Sequence, residues 1–466
     1  VGHLAGRYYV GGRMTAIGYL AGGGVTADMG DGGFYGGARA GYLAGGNSNV
    51  ALGQDAMYNN SGTKSIAIGN SAMYGGGTTD TTHSIAIGYQ TLHGITTGDY
   101  NIGIGRQAGS AITTATDNIF VGDNAGAATT GGYNVILGSE AGSNSTSMDE
   151  AVIIGRQAVG AGIATVDNIV AVGAYAGQDL TSGDGNTFVG YSAGANVTTG
   201  HSNTFIGKNS GRITTGIQNV GVGIDTFYDL TDGGSNTAIG SWALQNLTEG
   251  DGNVSVGKES MAYMTTGDGN VALGTDCLKS GTTVDYNIAI GNAALYVLVD
   301  ANGVAEAGDN NIAIGRYALG LEFISGSQNI AMGQYSGYEF TSGSSNIILG
   351  YSTMRSGSGD HNIVMGEKAS FNMGSVSAAT VPTGNIAIGS GALYTGDGAS
   401  YENIAIGLGA GYYLTTGTNN IYIGGNAGPT SVTAESDKLY IHNDTGTPLI
   451  GGNFSAGTVT IDGTLS

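Results

Sequence analysis

One five-residue shape recurs along nearly the whole chain: Asn, apolar, variable, apolar, Gly, as in Asn403-Ile404-Ala405-Ile406-Gly407. With the closing glycine as the mark, the copies run from Gly2 to Gly424, 25 in all, mostly 16 to 19 residues apart. Helix-containing repeats have periods of about 20 to 47 residues, so a unit of roughly 17 is too short for them. It suits one coil of a parallel β-solenoid, with two short strands and two turns per coil. Stacked at about 4.8 Å per coil, about 25 such coils would make a rod on the order of 120 Å long.

Composition removes the competing explanations of so much glycine. The 466 residues include 90 Gly and only 3 Pro. Collagen needs Gly at every third position with abundant Pro, and a chain that is 40% hydrophobic in short regular runs is too patterned for disorder. Acids outnumber bases 35 to 14, a formal charge of −21, which disfavours nucleic acid as a partner. The single cysteine, Cys277, excludes an internal disulfide and reads as a small buried residue. No apolar run approaches the roughly 18 residues of a transmembrane helix, so no membrane insertion is expected of this segment. The first residues, Val1-Gly2-His3-Leu4-Ala5-Gly6, read like the second half of a repeat, and a fragment or processed product is expected.

Within a unit, the apolar run is followed by a link of the form x-x-Ala-Gly or x-x-Ala-Leu/Met-Tyr and then by a Thr- and Gly-rich stretch such as Leu414-Thr415-Thr416-Gly417. Strand alternation sends the first and third apolar positions, such as Ile288 and Ile290 or Ile404 and Ile406, to one face. The middle position, where Ala289, Phe188 and Phe205 stand, goes to the other. A strand apolar on both faces must be covered on both. A coil interior covers one, so the other is expected to pack against sister chains around an axis. The leading Asn is present in 18 of 24 coils. Stacked in register, Asn203, Asn219, Asn236, Asn253, Asn270 and Asn287 would form an amide ladder, or serve left-handed turn positions.

Two coils are longer than the rest, with insertions at 296–310 and 371–384, and insertions in solenoids map to surface loops, often on the binding face. Tyr296, Asp300, Asn302, Phe371 and Asn372 are therefore candidate surface-binding residues. Residues 22–46 are irregular. The solenoid is expected over 1–429, with 430–466 as a small β cap or transition segment.

Little in the sequence carries reaction chemistry. Six histidines lack metal-ligand spacing, and no nucleophile elbow or phosphate loop is present; no catalytic residues, metal or cofactor are expected. The turns Asp184-Gly185-Asn186, Asp251-Gly252-Asn253 and Asp268-Gly269-Asn270 offer oxygen atoms to calcium, or simply make turns. The 26 tyrosines either pack between coils or present rings to sugars and apolar receptor patches.

The Asn-Ile-Ala-Ile-Gly-x-x-Ala-Gly units resemble the left-handed parallel β-roll heads of trimeric autotransporter adhesins. The longer spacing with Thr-Thr-Gly turns looks more like bacteriophage tail fibres, and the ending Asp437-Lys438-Leu439-Tyr440-Ile441-His442-Asn443 is similar to segments preceding a C-terminal chaperone domain in such fibres. The resemblance implies an all-β, homotrimeric, non-enzymatic attachment fibre on a virion or a cell surface, with a cell-surface receptor or glycan as partner. A bacterial adhesin or surface filament subunit is the alternative, and an ice- or polysaccharide-binding solenoid a further one.

Overall fold

The computed structural model describes residues 2–7, 13–24, 31–75, 80–162, 164–296, 308–320, 325–373, 382–395, 400–442 and 447–462. The chain is an all-β parallel solenoid of about 23 turns, spaced by about 17 residues, with no helix among the described residues. That is slightly fewer turns than the 25 marks suggest; the first mark, Gly2, closes no described strand. Among the described residues no helix is long and apolar enough to cross a membrane. Two compact units divide the chain, Val1–Asp232 and Gly233–Ser466.

In the first unit, parallel strands follow one another from Met14–Ile17 to Val220–Val222. In the second they run from Thr237–Ile239 to Lys438–Ile441. Within the long sheet these strands form, register does not slip among the described residues of either unit. Ala171 faces Phe188, Phe188 faces Phe205, and Ala272 faces Ala289. The parallel stack therefore runs on through Lys438–Ile441, where Tyr440 faces Tyr422. Beyond it, Ile450–Asn453 and Thr458–Ile461 add antiparallel.

Each of these strands is three or four residues long, and its middle residue points into the coil. Ala289, Phe188, Phe205 and Ala405 have no exposed surface, while their neighbours Ile288, Ile290, Ile404 and Ile406 lie on the outward side, partly or well exposed. The expected second strand per coil is absent over most of the chain, because two successive N–H groups converge on one carbonyl. Thr265 and Thr266 both donate to the Thr282 carbonyl, at 2.9 and 3.2 Å. A regular ladder needs one acceptor per donor. Among the described residues, second strands stack at Glu339–Ser342, Ser356–Ser358 and Asn372–Met373, and again at Ser400–Tyr401, Leu414–Thr418 and Thr433–Ala434.

The closing glycine is required by the neighbouring coil. Gly207 has φ +137°, and a Cβ there would lie 2.1 Å from the Gly223 carbonyl oxygen. No side chain fits that gap, and the backbone conformation excludes one independently. The same close approach recurs in the second unit, where a Cβ on Gly274 would stand 2.5 Å from the Gly291 oxygen.

Core volume is shared between the strand and the link that follows it. Where the strand's middle residue is large, the residue four past the closing glycine is often Gly: Phe188 with Gly194, Phe205 with Gly211, Phe120 with Gly126. A Cβ on Gly211 would stand 2.1 Å from the Phe205 ring. Where the middle residue is small, a large side chain from the link often fills the space: Ala238 with Leu244, Ala272 with Leu278, Gly221 with Phe227, all link side chains fully buried. Leu244 and Leu278 accept φ of +49° and +48° to do so.

This exchange yields a double-mutant test. Phe205→Ala is expected to cost about 3–5 kcal/mol through the cavity it leaves. Adding Gly211→Leu supplies volume from the link and should recover a large part of that loss. Denaturant unfolding of the two single variants and the pair would show a strongly favourable coupling; additive losses would disprove the volume exchange.

Candidate interaction surface

In the coils that carry it the leading Asn is buried, and Asn253 shows how it is paired. Asn253 donates its backbone N–H to Asn236 Oδ1 at 2.8 Å, and its Nδ2 to the same oxygen at 3.1 Å and to the Gly267 carbonyl at 2.7 Å. Its own Oδ1 accepts the N–H and Nδ2 of Asn270, and Asn287 repeats the pair on Asn270. In the first unit Asn203 donates to Asn186 Oδ1 and Asn219 to Asn203 Oδ1. The side chain thus uses both donors and both acceptor sites, so it carries no desolvation penalty of its own. Ser65 substitutes in one coil, accepting the Ser84 N–H at 3.2 Å. At Ala151 and Ile169, both buried, the row is replaced by apolar side chains.

A second row runs two residues earlier, with the opposite sense. Asp251 donates its N–H to Asp268 Oδ1, Asp268 to Asp285 and Asp285 to Asp309, at 2.8 to 2.9 Å. In the first unit Asp149 and Asp167 donate likewise to Asp167 and Asp184. The Asp-Gly-Asn turns therefore place one residue in each row. Among the described residues no group of three or more His, Cys, Asp or Glu is placed to hold a metal. The sequence reading missed this Asp row, although its signal is visible as Asp two positions before the ladder Asn.

Thr side chains make a third row. Thr248 and Thr265 donate their hydroxyls to the carbonyls of Thr265 and Thr282, at 3.0 and 2.9 Å. Thr181 and Thr215 do the same towards Thr198 and Thr231. These hydroxyls are committed to neighbouring coils, which leaves Thr266, the second Thr of its pair, as the exposed one.

The outward face of the strands is a continuous apolar surface. In the second unit it carries Val271, Leu273, Ile288, Ile290, Ile312 and Ile314 in successive coils, two per coil, and no outward position of the long sheet from Thr237 to Ile423 bears a charge. Leu273 is 36% exposed, Ile239 41%, Met332 43% and Ile406 40%. Met365 and Ile423 are also more than a third exposed, and the other outward strand residues of this unit are part-exposed. An extended apolar patch of this kind marks an interaction surface.

The insertion residues fall at different places. Tyr296 ends a link, and Phe371 stacks on Tyr394 with ring centroids 5.4 Å apart. Asn372 pairs through its backbone with Ser356. Asp300 and Asn302 lie outside the described residues. Tyrosines divide by position: Tyr58 and Tyr74 stack on one another across coils at 5.1 Å, whereas Tyr19, Tyr89, Tyr191 and Tyr351, each following a closing glycine, are about half exposed. Lys279 joins Asp276 and Glu259 in one charged cluster. Burial works against its charge, but the two carboxylates prevail and hold its pKa above the ordinary lysine value.

Comparison with protein-family models and with curated proteins returned no match. The surface must therefore be read from its own chemistry.

Asn253→Ala would take from the buried Asn270 N–H its acceptor and from the Gly267 carbonyl its side-chain donor, while the backbone N–H at 253 still serves Asn236 Oδ1, at a cost of about 1–3 kcal/mol. Asn253→Ser keeps an acceptor and should cost less. Hydrogen exchange of the amides in the flanking coils would report both, and equal protection in all three proteins would refute a load on the ladder. Cys277 offers a separate check: burial pushes its thiol up to about 12, and the group should resist a disulfide reagent at pH 8 until the coil is unfolded, the thiolate being the reactive form. Prompt labelling of the folded protein would contradict that placement.

Proposed function

We propose that the chain is a non-enzymatic structural attachment fibre that assembles from three copies through the outward apolar stripe. The observation that carries this reading is the stripe itself. It is two residues wide and repeated in coil after coil, an extended apolar patch of the kind that marks an interaction site. Further copies of the chain are the occupants it fits, since an identical register repeats the same spacing of apolar side chains along each partner, and parallel copies that meet by heterologous contacts close into a ring about one axis. The count of three comes from the resemblance of the Asn-Ile-Ala-Ile-Gly units to trimeric β-roll heads. The same resemblance supports a tail fibre or similar virion appendage, acting on a host surface. A bacterial surface adhesin would use the same stripe in the same way, and the genes flanking the coding region would separate the two. Support for an ice-binding role is weaker, because one hydroxyl of each Thr pair in the rows described is spent on the neighbouring coil.

Mass measurement in solution is the direct test, with a trimer expected. Replacing Ile239, Met332 and Ile406 by Lys puts three charges into the stripe without touching the coil interior. Those variants should dissociate or aggregate while keeping their β content by circular dichroism. A wild-type monomer at micromolar concentration would overturn the assembly, and a dimer would correct its stoichiometry.

A further inference from the structure

Two residues past each closing glycine the backbone takes a left-handed turn that usually bears a side chain. Lys368 does so at φ +53° and Asn426 at φ +57°. In the two coils between them the position is Gly391 and Gly409, both at φ +64°. A hollow of about 370 Å³ opens where those side chains are missing. One wall is formed by Tyr394 and Tyr412, whose rings stack 4.8 Å apart and within 1° of parallel. Leu408, 63% exposed, stands on the hollow's lining with Glu367, and Lys368 and Asn426 complete the rim. The backbone N–H groups of Gly391 and Gly409 are already bonded to the preceding coil, at the Glu367 and Ser390 carbonyls. Polar recognition must therefore come from side chains.

The mixture of walls narrows the ligand. An apolar peptide segment would cover Glu367 and Lys368 without pairing them, which is costly. Nucleic acid is repelled by a chain of charge −21. A sugar ring offers C–H groups to Tyr394, Tyr412 and Leu408, and hydroxyls that both donate to Glu367 and accept from Lys368 and Asn426. The volume lies within the range of small-molecule sites. The hollow also borders the coil that carries the second insertion, whose first residue, Phe371, extends the aromatic stack.

We infer that the hollow at Gly391 and Gly409 binds a short saccharide, as the recognition site of the attachment function proposed above, on which this inference rests. A hollow of about 500 Å³ also opens at the corresponding positions Asn124, Glu140 and Gln157, but no aromatic ring lines it, so the stacked wall distinguishes the site at Gly391 and Gly409.

The test uses the full chain on an array of immobilised oligosaccharides, neutral and uronic-acid-bearing. Gly391→Asn fills the hollow with a residue that tolerates the left-handed turn, and its Cβ would meet the Tyr412 ring at 3.5 Å, an ordinary contact. Glu367→Gln changes only an exposed rim group. The wild type should bind a subset of the array. Gly391→Asn should weaken that binding roughly tenfold or more, as expected for displacing ligand from a packed wall, and Glu367→Gln should weaken it measurably. If Gly391→Asn fails to fold, the rim variant decides. Wild-type binding that neither variant changes overturns the site, and so does a correctly assembled wild type that binds no sugar on the array. The latter leaves the fibre reading standing, whereas a monomeric wild type that still binds sugar through this hollow would sink the fibre reading and keep the site.

Discussion

Stacking coils at strand spacing is possible only if nothing wider than a glycine Cα stands at the corner where each strand ends. That steric constraint sets the rest. At Gly207 and Gly274 the next coil's carbonyl oxygen occupies the place of a Cβ, so the coils approach closely enough for interior rings such as Phe188 and Phe205 to stack on one another. The buried amide ladder follows from that spacing. Asn253 reaches Asn236 and is reached by Asn270 only because the repeat distance matches the span of a carboxamide. A polar group that would be costly alone is satisfied when it is one of a series.

Much of this was legible in the sequence. Spacing of glycines gave the period, the missing helix-length segments gave the class, and the leading Asn marked the ladder. Alternation alone showed two apolar faces but could not say which was interior, because Ile-Ala-Ile is apolar from either side. The structure places Ala289 inside and Ile288 and Ile290 outside. A small residue faces inward because the link contributes its own side chain to the same space, as Leu295 does in that coil. The two link types, Ala-Gly and Ala-Leu/Met, were visible as variants. Their correlation with Phe or Ala in the strand was the unused signal.

Other features had no simple sequence signature. The absence of a second strand arises from two N–H groups sharing the Thr282 carbonyl, a geometric outcome that Thr-Thr-Gly does not announce. The candidate site is similar. Gly391 and Gly409 look like any of the other glycines in a glycine-rich chain, and become informative only when their backbone positions are matched to Lys368 and Asn426.

The Asn row passes its donors backward along the chain and the Asp row passes them forward, so a coil has two chemically distinct ends. At this end of the parallel stack the Lys438 N–H occupies the amide oxygen of Asn420 at 2.9 Å, and a lysine stands where a ladder Asn would. The strand paired next to it, Ile450–Asn453, runs in the reverse direction and presents no parallel template to a further coil. An open sheet edge invites end-to-end pairing, and the change of direction removes that invitation from the parallel stack.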